Sequence, residues 1–330
     1  MAIYPTVKVA AVQAAPVYLN LEETVAKTCR LVDEAAAMGA KVIAFPEAFI
    51  PGYPWWIWLG NGDYGMPFFI QLYKNAVEIP SDAVRQLANA AKRNKVYYSV
   101  SVSEKDGGSL YLTQLWFDPK GNLIGKHRKL KASSAEMTIW GDGDGSMMPC
   151  FDTEYGRLAG LECWEHDIPL NIAAMASLNE QIHCAAWPSF FPVDGHLFGV
   201  ESCEIVQKSY AITNQCFVLM ASQLWTKEME DMLCDTEDKK QIMDYGYGCT
   251  RIIAPNGKVM ASVPHDQEGI AVAEVNLEQT IPGKYLTDPA GHYSTPQCLR
   301  LIFDQSEHYP VMKVGKQADH FISFDELNDK

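Results

Sequence analysis

Apolar positions along the chain fall into short runs that alternate with longer stretches of helical spacing. Val7 to Gln13 is apolar and β-branched with only weak alternation, which predicts a buried strand. Asn20 then stands as an N-cap with Glu23 three residues on, and Val25, Cys29, Leu31 and Val32 keep helical spacing until Gly39, predicting a helix over Leu21 to Met38. Lys41 to Phe45 reads as a second strand. Strand, helix and strand in that order imply a crossover connection, and so parallel or mixed pairing. Ser81 caps a further helix through Asn94, and strands are expected at Val96 to Val102 and Leu110 to Phe117, parted by the turn Asp106-Gly107-Gly108. A tight turn at Asp118 to Gly121 leads to Leu123-Ile124. Leu158 to Leu161 suits a buried strand that Glu162 breaks, and Pro169 opens a helix-like Leu170 to Leu178. Strands at Ile182 to Trp187, Cys216 to Ala221, Gly248 to Ala254 and Glu268 to Val275, with a helix at Val200 to Asn214, continue the alternation. Such alternation predicts an α/β layer architecture, two sheets with helices on their outer faces. No Pro/Gly/Ser-rich linker interrupts it, so residues 1–305 are expected to form one domain and 306–330 a polar carboxyl-terminal tail, a candidate for oligomer contacts.

Composition narrows the partners. The 330 residues are 48% hydrophobic and 21% charged, which suits a large core and not a disordered chain. A formal net charge of −14 argues against nucleic acid or an anionic membrane surface, and leaves a small neutral or weakly charged ligand as the expected partner. Nine cysteines, an odd number without a C-x-x-C pair, resemble neither a disulfide framework nor a zinc site. The amino terminus lacks the basic and apolar regions of a secretion signal, and no apolar run reaches membrane-spanning length. A cytoplasmic, reducing location is therefore expected, one that keeps a thiol free. Gly141 to Gly145 lacks the ligand spacing of a calcium loop and reads as a turn. Dinucleotide, Walker, zinc-protease and serine-hydrolase motifs are absent from the sequence.

Three places carry candidate chemistry. Cys163 ends an apolar run just before a helix, where open α/β sheets place their reactive groups, although most free cysteines are inert core. Glu47 occupies the equivalent place after Lys41 to Phe45, in a stretch whose prolines 46, 51 and 54 forbid a continuing strand. Gly125 to Lys131 is dense in cations within an acidic chain. It reads as a solvated basic face, a phosphate contact, or one lysine turned inward as an electrostatic stabiliser.

Together these residues show a resemblance. Phe45-Pro46-Glu47 followed by Gly52-Tyr53-Pro54, Lys129 in His-Arg-Lys-Leu, and Cys163 in Cys-Trp-Glu-His resemble, in the right order, the nitrilase branch of the carbon–nitrogen hydrolase superfamily. Ala185 to Ser189 and Asp288 to Ser294 look like that branch too, so the similarity runs from about Val7 to Ser294. The resemblance implies a four-layer α-β-β-α sandwich and a Glu47, Lys129 and Cys163 triad, with no metal or organic cofactor. It also implies Glu136, which either orients Lys129 or relays a proton; the family's Pro-Thr step and Arg around this glutamate are replaced here by Ala132-Ser133 and Met137. Glu165 and His166 are expected to orient the nucleophile, with a structural histidine as the alternative. Tyr53, Trp164, Trp187 and Phe190 are the candidate substrate contacts, since an aromatic-lined pocket favours an organic nitrile. Arylacetonitriles, 2-hydroxynitriles or aliphatic dinitriles would fit. Phe45 to Pro54, Gly141-Asp-Gly and Ser146 to Pro149 look instead like cyanide dihydratases, whereas Thr295 to Leu301 looks like the organic-nitrile enzymes. An amidase or carbamoylase fits the Cys-Trp-Glu motif less well, and an inactive scaffold sits poorly with three retained triad residues. Relatives of this kind form dimers that extend into spirals or filaments, so a homo-oligomer is expected.

Overall fold

A computed structural model describes residues 4–190, 199–243, 247–311, 314–315, 322–324 and 327. The chain opens with β1 (Thr6–Ala14), α1 (Leu21–Ala37) and β2 (Val42–Ala44), and Asn20 caps α1 by accepting from the Glu23 N–H. There follow α2 (Gly62–Lys74), α3 (Asp82–Asn94), β3 (Tyr97–Asp106), β4 (Ser109–Phe117) and β5 (Leu123–Arg128). The second half holds β6 (Cys150–Thr153), β7 (Gly156–Glu162), α4 (Pro169–Ser177), β8 (Ile182–Trp187), α5 (Val200–Asn214) and β9 (Phe217–Gln223). Short helices α6 (Lys227–Leu233) and α7 (Glu237–Ile242), strands β10 (Arg251–Ile253), β11 (Val259–Ser262) and β12 (Gly269–Asn276), and α8 (Ile281–Thr287) complete it.

Two sheets face each other. The first runs β5-β4-β3-β2-β1 with β12 antiparallel to β1; the second runs β6-β7-β8-β9 with β10 antiparallel to β9 and β11 beyond it. A two-residue parallel ladder, Gln13 with Ser222 and Ala14 with Gln223, joins them at the ends of β1 and β9. Strand alternation sorts the core by layer. Val9, Val42, Trp116, Ile182 and Leu219 pack between the sheets. Val25, Val32 and Leu87 of α1 and α3 cover the first sheet, and Met175, Cys203 and Tyr210 of α4 and α5 cover the second. This is the expected α-β-β-α order.

Two expectations need correction. Glu162 does not break its strand; it is the last residue of β7 and fully buried. The strand expected over Gly248 to Ala254 shrinks to β10, because side chains and loops take the preceding backbone donors. Gly248 N–H goes to His265 O, Cys249 N–H to Ser222 Oγ and Thr250 N–H to Gln13 Oε1. After α8, residues 288–311 carry no helix or strand, yet Phe303 packs beside the second sheet's outer core and His308 N–H donates to Asp144. Among the described residues no helix is long and apolar enough to cross a membrane.

Candidate active site

The three motif residues arrive at one place from both sheets. Glu47 follows β2 and Lys129 follows β5 in the first sheet, while Cys163 follows β7 in the second. Each sits at the carboxyl end of its strand. Cys163 begins a 3-10 turn over Cys163–Asp167 with φ +50°, a left-handed conformation that a non-glycine residue holds only when its surroundings fix it. Ala48, directly after Glu47, lies at φ +45°.

Lys129 is 1% exposed and its ammonium lies 2.8 Å from Glu47 Oε1 and 2.8 Å from Glu136 Oε2. Of the basic stretch it is the lysine that turns inward, whereas Lys126 and Arg128 pair with Glu104. Glu136 sits in the 3-10 turn Ser134–Thr138, where its Oε2 also accepts from the Ser133 N–H at 2.8 Å and its Oε1 from the Tyr53 hydroxyl at 2.7 Å. Glu136 thus keeps its hold on Lys129 with Ala132-Ser133 in place, and Met137 points to solvent.

Electrostatics follow from this burial. Burial pushes the Glu47 carboxyl up to about 8, against the lowering pull of Lys129 and with the Glu136 charge adding to the rise. Burial and the Glu47 charge push the Cys163 thiol well above the usual range, so it rests protonated. Burial works against the Lys129 ammonium, but the Glu136, Glu47 and Cys163 charges outweigh it and hold Lys129 well above the usual lysine range. Glu47 Oε2 has no hydrogen-bond partner, which leaves one carboxyl oxygen free to exchange a proton. A carboxyl, a fixed cation and a thiol therefore share one buried site, an arrangement suited to nucleophilic attack with charge stabilisation.

Several supporting residues lie outside the sequence expectation. Glu162 receives the Ser101 hydroxyl, and Ser101 Oγ in turn accepts the Ala48 N–H at 2.8 Å. Burial, with the charges of Glu47 and Glu165, pushes Glu162 well above the usual carboxyl range, so it is a neutral acid in this core. The Glu47 backbone is fixed by Trp187 O, which accepts its N–H at 3.1 Å, and by the Gln223 amide, which donates to its carbonyl. The apolar run that Glu162 ends was the available signal: a carboxylate inside a buried strand has to find a partner there. Gln223 and Ser101 carried no signal, because their roles exist only where strands distant in sequence meet.

Glu165, expected to orient, ties three segments. It accepts from Leu130 N–H at 2.8 Å, Glu162 N–H at 2.9 Å and His127 Nε2 at 2.9 Å. The strand ends that carry Lys129 and Cys163 are thereby fixed to each other. The aromatic candidates divide in two. Tyr53 is buried with its hydroxyl committed to Glu136. Trp187 is fully buried and stacked on His166, Phe190 lies 5.7 Å from it between ring centres, and half-buried Trp164 meets Trp187 edge-on at 5.9 Å. These three share a packed cluster with Cys163.

Comparison with known proteins agrees with this architecture. Residues 8–285 match the model of the carbon-nitrogen hydrolase family. A protein named nitrilase from Bacillus sp. (strain OxB-1) is 63% identical over 99% of this chain and 96% of its own. An aliphatic nitrilase of Rhodococcus rhodochrous is 42% identical over 93% of this chain and 82% of its own. The crystal structure of a Saccharomyces cerevisiae member of branch 10 of the nitrilase superfamily shares the fold, with TM-score 0.68 at 21% identity over 89% of this chain and 97% of that one. The chain, with its two facing sheets and strand-end residues, belongs to the carbon–nitrogen hydrolase family of enzymes.

Proposed function

We propose that this enzyme hydrolyses an organic nitrile, an arylacetonitrile, 2-hydroxynitrile or aliphatic dinitrile, to the carboxylic acid and ammonia. One observation carries the reading: the Lys129 ammonium is held at 2.8 Å from both Glu47 and Glu136 in the buried site that also holds Cys163. The names of the two relatives support nitrile as the substrate class.

Chemistry then follows from the charge states. A resting thiol is a poor nucleophile, so Glu47 takes the Cys163 proton as Sγ attacks the nitrile carbon. The nitrile nitrogen gains the electron pair and a proton, giving a thioimidate. Lys129 and the Trp164 backbone N–H stabilise the developing negative charge. Water adds with Glu47 as base, the tetrahedral intermediate expels ammonia, and a thioester remains. A second water releases the acid and returns the proton to sulfur. These steps need no metal or organic cofactor. Glu136 serves Lys129 through its ion pair, and Trp164, the most exposed of the aromatic candidates, is the one best set to meet substrate.

Assembly and setting belong to the same reading. Tyr293, Leu299, Ile302 and Tyr309 are exposed on the segment after α8, which supports a homo-oligomer built from dimers, extending to a spiral or filament. All nine cysteines are free, which fits a cytoplasmic, reducing compartment. Residues 1–305 act as one domain and 306–330 as its tail.

The test is ammonia and acid release by purified protein from potassium cyanide, phenylacetonitrile, mandelonitrile, an aliphatic dinitrile and phenylacetamide, beside Cys163→Ala. Turnover of organic nitriles that Cys163→Ala abolishes is expected. Turnover confined to cyanide would mark a cyanide dihydratase, and activity on the amide alone would move the enzyme to another branch. Undiminished release by Cys163→Ala would remove Cys163 as nucleophile.

A further inference from the structure

His166 heads a chain of buried side chains that the proposed reaction does not use. His166 Nδ1 lies 2.6 Å from the Cys163 carbonyl oxygen, its Nε2 lies 2.9 Å from His183 Nε2, and His183 Nδ1 lies 2.6 Å from Glu180 Oε2. Glu180 Oε1 accepts from the Tyr210 hydroxyl at 2.6 Å and from Asn214 Nδ2 at 2.9 Å.

Hydrogen-bond arithmetic fixes the protons. A carbonyl oxygen only accepts, so His166 donates through Nδ1–H. Burial, followed by the charge of His183, holds His166 well below the usual histidine range, so the ring is neutral and Nε2 keeps a lone pair. The contact between the two rings then requires a proton on His183 Nε2. Burial pushes Glu180 up, but His183, Tyr210 and Asn214 outweigh it and hold the carboxyl below its usual range. Glu180 Oε2 meets the other nitrogen, His183 Nδ1, and so holds that ring in place.

We propose that His183, held by Glu180, locks His166 in the tautomer that grips the Cys163 carbonyl, making His166 a positioning residue for the nucleophile. That carbonyl belongs to the residue at φ +50°, whose turn aims both Sγ and the following Trp164 N–H. Trp187 stacks on His166 with 19° between planes and Tyr210 meets its edge at 5.3 Å, so the ring has little room to pivot. Without the His183 donor nothing fixes which ring nitrogen of His166 holds its proton, and a proton on Nε2 leaves the Cys163 carbonyl ungripped. His183 thus acts on Cys163 through His166 without touching it.

The inference rests on Cys163 as nucleophile, which Cys163→Ala tests separately. His183→Leu, His166→Leu and His166→Asn are compared with the unaltered enzyme on the fastest nitrile of the panel. His183→Leu and His166→Leu should lower kcat by about 100-fold with KM little changed, the scale of a misplaced reacting group. His166→Asn, whose side-chain amide can still donate to the carbonyl, should recover to within about tenfold of the parent. Equal losses for Asn and Leu that track a lowered melting temperature would overturn the positioning role. Independently of activity, 15N spectra of histidine-labelled parent enzyme near neutral pH should show His166 protonated at Nδ1 and bare at Nε2. A His166 protonated at Nε2 instead overturns the proposal even where a variant fails to fold.

Discussion

In the proposed mechanism Glu47 is the residue whose charge state decides the rate. With its carboxyl pushed up to about 8, it is mostly protonated in mildly acidic solution and cannot accept the Cys163 proton. Activity therefore falls as pH drops, and kcat/KM against pH should show an acidic limb with its midpoint near 8. Because Glu47 and its neighbours titrate together, that midpoint belongs to the group of charges. A midpoint in the ordinary carboxyl range would remove Glu47 as the elevated base. Tyr53 gives a second residue-level expectation, since its hydroxyl is spent on Glu136. Tyr53→Phe should lower kcat by roughly tenfold at unchanged KM, matching loss of one hydrogen bond to a charged group. A raised KM with kcat intact would return Tyr53 to the substrate wall. Glu47, Lys129 and Cys163 were legible in the sequence because each stands in a compact motif, and Glu136 came through the family resemblance alone. Ser101, Gln223 and His183 were not, because each acts through a contact made only when segments distant in sequence close on one another.

At the level of elements, legibility followed regularity. α1 announced itself through Asn20, Glu23 and an apolar stripe, and the central strands through continuous apolar runs. α2 went unseen because Gly65 and Pro67 lie within it, residues that ordinarily argue against a helix. α6 and α7 are brief and dense in charge, and β6 and β11 are short, half-buried strands without a clear period. Pairing between the sheets depends on one small residue in β7, Gly160, to which no motif points. A Cβ on Gly160 would lie 2.5 Å from Cys184 O and 2.6 Å from Gln114 Oε1. Gly160→Ala should cost about 1–3 kcal/mol, the range for overpacking a tight core, read as a lower denaturant midpoint at constant m. An unchanged midpoint would mean that the sheets have slack at this point.

The molecule as a whole extends beyond its sandwich. Leu299 is 77% and Ile302 91% exposed, so one protomer gains nothing from them. Leu299→Glu with Ile302→Glu should leave the melting temperature of the protomer nearly unchanged, as surface substitutions do. In sedimentation velocity the same pair should shift the species to smaller assemblies, and an unaltered distribution would move the interface elsewhere. The two-residue ladder between β1 and β9 has its own consequence. Glu47 and Lys129 travel with one sheet and Cys163 with the other, so the reactive distances act as a gauge of how the two slabs are seated. A slip too slight to melt a strand would already pull base and sulfur out of alignment. On heating, catalysis should therefore fade while the circular dichroism of the backbone still looks intact.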